Sequence, residues 1–153
     1  MTRKYYQKIL VPFDGSDPSK NAIEEARMMQ SIYPADITLL QVLPNPYADR
    51  GSIGYRMLNT PYGANAEAYE EASEEAQAEL SALKEGFAHP DQVSLLLVEG
   101  AVATAIVDVI EKGKYDLVIM GSEGLGQALK RFLLGSVTKY VLEHVDTPVL
   151  VLR

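Results

Sequence analysis

Five short apolar runs, spaced by helical patterns and turns, constrain this chain more than any other feature. They are Lys8 to Phe13, Asp36 to Leu43, Gln92 to Val98, Tyr115 to Met120 and Thr147 to Leu152. At least half of each run is Val, Ile or Leu, without the strict alternation of a strand that has one wet face, so each reads as a strand buried on both sides. Between them lie helical stretches. Pro18 at a first helical position, with Ser16 or Asp17 as N-cap, opens a helix whose stripe Ala22, Ile23, Ala26 and Met29 carries it to Ile32. Ala64 to Phe87 is rich in Ala and Glu and free of Pro. Val102, Ala105, Ile106, Val109 and Ile110 mark an amphipathic helix ending near Gly113, and another follows from Ser136 to about Val145.

Buried strands alternating with helices form a parallel sheet covered on both faces. Right-handed crossovers leave few topologies. The expectation is an α/β fold: one doubly wound domain over 1–153, flavodoxin/Rossmann-like, with five parallel strands in the order 3-2-1-4-5. In that order the winding reverses between strands 1 and 4, and ligands of such folds bind in the crevice beyond the strands' carboxyl ends. The segments at those ends are Pro12 to Ser16 and Met120 to Gly135.

Composition narrows the function classes. The 153 residues suffice for a full core, and 47% hydrophobic with 23% charged residues exclude wholesale disorder. Cysteine is absent, which excludes disulfides, thiolate metal sites and thiol nucleophiles. A formal net charge of −7 argues against general binding of nucleic acid. No apolar run approaches the roughly 18 residues of a membrane span. The basic leader Met1 to Lys8 meets only the short run Ile9 to Phe13, too short for a signal peptide, so a cytoplasmic protein is expected. Glu70, Glu71, Glu74, Glu75 and Glu79 form a solvated helix face rather than a metal site, since no His or Asp joins them. Pro44 to Pro61, with Tyr47, Arg50, Tyr55 and Arg56, is a long connection: a lid over the crevice or a surface loop.

Gly121-Ser122-Glu123-Gly124 leaves strand 4, and Gly135-Ser136-Val137-Thr138 opens a helix. A helix N-terminus with a glycine and two hydroxyls suits an anion, and Lys130, Arg131 and Lys139 are near in sequence; read alone, Gly135 and Ser136 simply cap the helix. Asp14 before Gly15 suits either a turn or a ribose hydroxyl or magnesium ion. The phosphate-loop signature Gly-x-x-x-x-Gly-Lys-Ser/Thr is missing, and Gly124-Leu125-Gly126 runs into Gln127-Ala128-Leu129, which breaks the dinucleotide fingerprint. His89 and His144, the only histidines, have no Ser and carboxylate arranged as a triad. No base for catalysis is evident, and slow ATP hydrolysis is the most that is expected.

Ile9-Leu10-Val11-Pro12-Phe13-Asp14-Gly15-Ser16, Val118-Ile119-Met120-Gly121-Ser122-Glu123-Gly124, Leu133-Leu134-Gly135-Ser136-Val137-Thr138 and Thr147-Pro148-Val149-Leu150-Val151-Leu152 together resemble the universal stress proteins. The resemblance spans the chain except for Pro44 to Pro61. It implies a stress-response or signalling protein binding ATP or AMP, with magnesium carried by the nucleotide near Asp14. Pro12, Phe13, Asp14 and Val42 would surround adenine and ribose. Met120, Gly121 and Gly124 would line the crevice, and Gly135, Ser136, Val137 and Thr138 would hold phosphates. Ten residues, Leu125 to Leu134, stand between Gly124 and Gly135, one more than the family's usual spacing. Glu123 stands where a basic residue or His is common. Both departures bear on the phosphates more than on the adenine. Strand 5 is an edge in this order, yet Val149 to Leu152 is apolar on both faces, which predicts a homodimer built on that edge. Two alternatives are a dimeric interaction module with an altered pocket, and an enzyme of related architecture.

Overall fold

The computed structural model describes residues 5–45, 66–122 and 134–153. Strand β1 (Lys8–Pro12) runs into the turn Asp14-Gly15-Ser16, where Gly15 takes φ +85°, a conformation costly for any side chain. The Asp14 carboxylate accepts from the Ser16 N–H at 2.9 Å and fixes that turn. Ser16 then caps helix α1 (Asp17–Ile32), its hydroxyl accepting from the Ser19 N–H at 3.3 Å, and Pro18 sits in the first turn where no N–H is needed. Strand β2 (Asp36–Pro44), helix α2 (Ala66–Lys84), a short 3₁₀ turn (Pro90–Gln92) and strand β3 (Val93–Gly100) follow. Helix α3 (Val102–Gly113), strand β4 (Leu117–Gly121), helix α4 (Ser136–His144) and strand β5 (Val149–Leu152) complete the chain.

All five strands pair in parallel in one sheet of order β3-β2-β1-β4-β5, as the alternation of buried runs predicts. Successive side chains of a strand face opposite sides, and that period sorts the core into two layers. Ile9, Val11, Ile37, Leu39, Leu117 and Ile119 pack with Ala22, Ile23 and Ala26 of α1 and Leu80 of α2. Leu10, Leu40, Val118 and Met120 pack on the other side with Ile106 and Ile110 of α3 and Val141 of α4. Helices α1 and α2 thus cover one face, and α3 and α4 the other.

Polar clips hold the frame away from the sheet's carboxyl edge. Gln30 is fully buried; its amide donates to the carbonyls of Ala35 and His89 at 3.2 Å each, and its oxygen accepts from the His89 N–H at 2.9 Å. Arg27 reaches from α1 to the Leu83 carbonyl at 2.7 Å, which satisfies an end group of α2, and lies over the Phe87 ring. Helix α3 ends at Gly113, as its sequence pattern predicts, and Lys114 (φ 53°) takes the left-handed position that follows. A Cβ on Gly113 would run into the Tyr115 ring, so that glycine serves packing rather than the turn. Among the described residues no helix is long and apolar enough to cross a membrane.

Candidate functional site

The strands of β1, β2 and β4 deliver their carboxyl ends to a cleft of about 350 Å³. β1 supplies Pro12, and Phe13 and Asp14 follow it. β2 supplies Leu40, Gln41, Val42, Leu43 and Pro44, and β4 supplies Met120 and Gly121. Val102 and Ile106 of α3 form one wall, Ser19 of α1 another, and Val137 and Thr138 belong to the first turn of α4. This is the point where the winding reverses, the place that doubly wound sheets offer to ligands. The lining is mostly apolar, with Asp14, Ser19, Gln41 and Thr138 as its polar side chains.

Those four differ in what they have left to offer. The Ser19 hydroxyl donates to the Ser16 carbonyl at 2.8 Å and accepts from the Asp14 N–H at 3.4 Å, so it is engaged within the turn. The Thr138 hydroxyl is buried and donates to the Gly121 carbonyl at 2.9 Å. It therefore ties α4 to the end of β4, and Thr138 can meet an anion only through its backbone N–H. Asp14 is exposed, with Oδ1 accepting from Ser16. Gln41 is half-buried, and its carboxamide oxygen is out of reach of solvent and has no hydrogen-bond partner among the described residues.

Helix α4 begins beside this cleft with no side-chain cap, because Gly135 stands at its N-cap. The Gly135 N–H donates to the Ser122 carbonyl at 2.8 Å, and the Gly135 carbonyl accepts from Lys139 at 3.0 Å. Among the described residues no side chain caps the N–H groups that open α4, the end of the helix that carries partial positive charge. Ser122 itself donates from its N–H to Leu152 at 2.6 Å, continuing the ladder of β4 on β5. Gly121 is fixed by close approach: a Cβ there would lie 2.8 Å from Pro18 Cβ and 2.9 Å from both the Pro18 carbonyl carbon and the Ser19 nitrogen. The turn after β1, the end of β4 and the start of α4 are thereby locked against one another.

Of the residues singled out from the sequence, Pro12, Phe13, Asp14, Val42, Met120, Gly121, Val137 and Thr138 line the cleft. Gly135 and Ser136 stand at the N-terminus of α4 without lining it, Gly135 buried and Ser136 exposed. Gly124, with Glu123, Lys130, Arg131 and residues 46–61 of the long connection, lies outside the described residues. Sequence reasoning missed Ser19, Leu40, Gln41, Leu43, Pro44, Val102 and Ile106 as lining residues. The apolar stripe that reveals α3 marks Val102 and Ile106 as core, and nothing in periodicity says that the start of that stripe overhangs the ends of β1 and β2. Neither histidine lines the cleft. The His144 ring stacks on Tyr140 at 3.8 Å between centroids, with Nδ1 2.7 Å from the Tyr140 carbonyl oxygen, while the His89 backbone is held by Gln30. Among the described residues no group of three metal-ligating side chains comes together.

Residues 5–153 match the family model described as the universal stress protein family. The chain belongs to that family. Universal stress protein MJ0531 of Methanocaldococcus jannaschii is 31% identical over 149 residues, which are 97% of this chain and 82% of the relative. The solved structure of MJ0577 from the same organism superposes with a TM-score of 0.77 at 28% identity, covering 96% of this chain and 95% of the other. A universal stress protein solved in complex with cAMP gives a TM-score of 0.62 at 25% identity, with 97% of each chain covered. The strand order read from buried runs is thus the order of a universal stress protein fold.

Proposed function

We propose that this universal stress protein binds an adenine nucleotide, ATP or AMP, at the carboxyl ends of β1 and β4, and acts in stress response or signalling in the cytoplasm. The observation that carries the reading is the cleft itself: an apolar hollow with an uncapped helix N-terminus at one side. Pro12, Phe13 and Val42 supply apolar surface for a base, and Asp14 an acceptor for ribose hydroxyls. The N–H groups that open α4 suit phosphate. Asp14 offers a single carboxylate, so magnesium would come with the nucleotide, held mainly by phosphate oxygens. The solved relative in complex with cAMP carries an adenine nucleotide on the same fold.

The extra residue between Gly124 and Gly135 does not count against this reading, because Ser122 and Gly135 are bonded to each other and Thr138 to Gly121. The start of α4 keeps its seat whatever the length between. The dimeric interaction module remains the second reading, since the described lining contains Asp14 and no Lys or Arg to balance a triphosphate. In either reading β5, a half-buried edge strand, is proposed as the seam of a homodimer.

The test is to heat-denature freshly purified protein, assay any released nucleotide, and melt stripped protein with millimolar ATP, AMP and GTP. A ligand at about 100 times its Kd adds about 2.7 kcal/mol, roughly 5–10 °C for a chain of this length. The expected result is an adenine-selective rise that Gly135→Val abolishes. Ser136 is exposed, so Ser136→Asp places a carboxylate at the helix N-terminus without disturbing the core. It should preserve or raise the melting point of the free protein and remove the ligand shift. No released nucleotide and no shift would leave the interaction module as the account.

A further inference from the structure

We infer that Ser19 is a positioning residue of the nucleotide site: its buried hydroxyl sets the Asp14 carboxylate toward the hydroxyls of a ribose. The inference rests on the nucleotide reading above and deepens it, because it assigns the means by which the cleft tells a ribose from a sugar without hydroxyls. The Phe13 N–H donates to the Leu40 carbonyl at 2.8 Å and so still belongs to the ladder between β1 and β2. Asp14 is the first residue beyond it, and its N–H goes instead to Ser19 Oγ at 3.4 Å. The same hydroxyl donates to the Ser16 carbonyl at 2.8 Å, and the Ser19 N–H donates to the Ser16 hydroxyl at 3.3 Å. Ser16 in turn gives its N–H to Asp14 Oδ1 at 2.9 Å. Ser19 thus holds both residues that set the carboxylate: Asp14 by its main chain, and Ser16, which binds one carboxylate oxygen.

A serine at the third position of a helix serves the cap alone when its side chain returns to the N–H of the N-cap residue. Here that N–H is given to Asp14, and the Ser19 hydroxyl reaches past the cap to the Asp14 main chain. Ser19 is 3% exposed, with its proton and one lone pair engaged, so it acts on a ligand through Asp14. Asp14 is exposed at the cleft with Oδ1 taken by Ser16, which leaves Oδ2 to accept from a ligand. A carboxylate free to turn loses side-chain entropy when a ligand orders it, and one set beforehand loses less. The support behind Ser19 is rigid, since a Cβ on Gly121 would lie 2.9 Å from the Ser19 nitrogen: the end of β4 backs the first turn of α1. Gly15, at φ +85°, lets the chain between Asp14 and Ser16 fold back so that the carboxylate meets its donor.

The experiment measures affinity by calorimetric titration of the full chain with ATP and with 2′,3′-dideoxy-ATP, which lacks both ribose hydroxyls, and reads the ratio of the two. Wild type should bind ATP about tenfold more tightly, the scale of a hydrogen bond to a charged acceptor. Ser19→Ala should reduce that ratio to about two or three, the loss falling on ATP. A serine that only held the fold would weaken both compounds together and leave the ratio standing. Ser19→Cys keeps the shape with a poorer hydrogen-bonding group; it should lower the ratio as well, and gives the answer should Ser19→Ala fold poorly. Asp14→Ala should bring the ratio to about one, and adding Ser19→Ala to it should change nothing further, because Ser19 acts through that carboxylate. A wild-type ratio in both Ser19 variants, or one that survives Asp14→Ala, overturns the role of Ser19 while the nucleotide site stands. A wild type that binds the two compounds alike overturns it together with the ribose role of Asp14. No binding of either compound by wild type overturns the nucleotide reading as well.

Discussion

Replacing Gly121 by alanine adds one methyl group at the place where three segments meet. The added Cβ would lie 2.8–2.9 Å from three atoms, where ordinary contact begins near 3.4 Å. Two of those atoms are main chain in the first turn of α1 and the third is on the Pro18 ring, so no rotamer change relieves the clash. The end of β4 and the start of α1 must therefore separate by about half an ångström, in a core packed at close to crystal density. Overpacking of this kind costs about 1–3 kcal/mol, offset by up to about 1 kcal/mol because alanine loses less backbone freedom than glycine on folding. A net loss of about 1–2 kcal/mol lowers the melting temperature by about 3–8 °C for a chain of this length. Gly100→Ala is the control: there the new Cβ would meet only the Ala105 methyl, at 3.3 Å. Differential scanning calorimetry of both variants decides the matter. A Gly121→Ala protein melting within about 1 °C of wild type, or no lower than Gly100→Ala, would show that the close approach is not a constraint on the site.

Three further outcomes are expected. Thr138→Val removes the buried hydroxyl that donates to the Gly121 carbonyl and should cost about 1–2 kcal/mol by denaturant unfolding, whereas Thr138→Ser should stay near wild type. Asp14→Asn preserves the acceptor for the Ser16 N–H, so the melting temperature should hold while affinity for magnesium-bound ATP falls about tenfold in titration; Asp14→Ala should lose both. Burial raises the Tyr33 pKa above the ordinary 10.0, the nearby Asp116 carboxylate adding to it and a backbone hydrogen bond from Tyr6 opposing it. The folded chain thus favours the neutral phenol, and stability present below pH 10 is lost as pH rises through the raised value. Unfolding titrations between neutral and strongly alkaline pH should show that Tyr33→Phe loses less than wild type.

The sheet was legible because its strands are buried on both faces, and a run such as Ile9-Leu10-Val11 has no other comfortable home in a chain of this length. The winding followed from connections that admit helices and little else. What the sequence hid lies in places where one residue serves two purposes. Gly121 reads as a cleft glycine, and the structure adds that the first turn of α1 leaves no room for a side chain there. Thr138 reads as a phosphate ligand, yet its hydroxyl is spent on the main chain of β4. β2 and β3 also run further than their apolar runs, to Pro44 and Gly100, because Asn45 continues the ladder with a 2.7 Å bond from its N–H to the Gly100 carbonyl.

The bond between the Gly135 N–H and the Ser122 carbonyl has one more consequence. It gathers both ends of the intervening stretch at one point on the frame, so the stretch is a closed circuit whose length is uncoupled from the scaffold around it. Closing such a circuit costs entropy that grows only with the logarithm of its length, and going from eleven residues to the twelve between Ser122 and Gly135 adds about 0.1 kcal/mol. Against a fold held by several kcal/mol that increment is invisible to selection for stability. An added residue in this stretch therefore leaves the seat of the helix that follows unchanged.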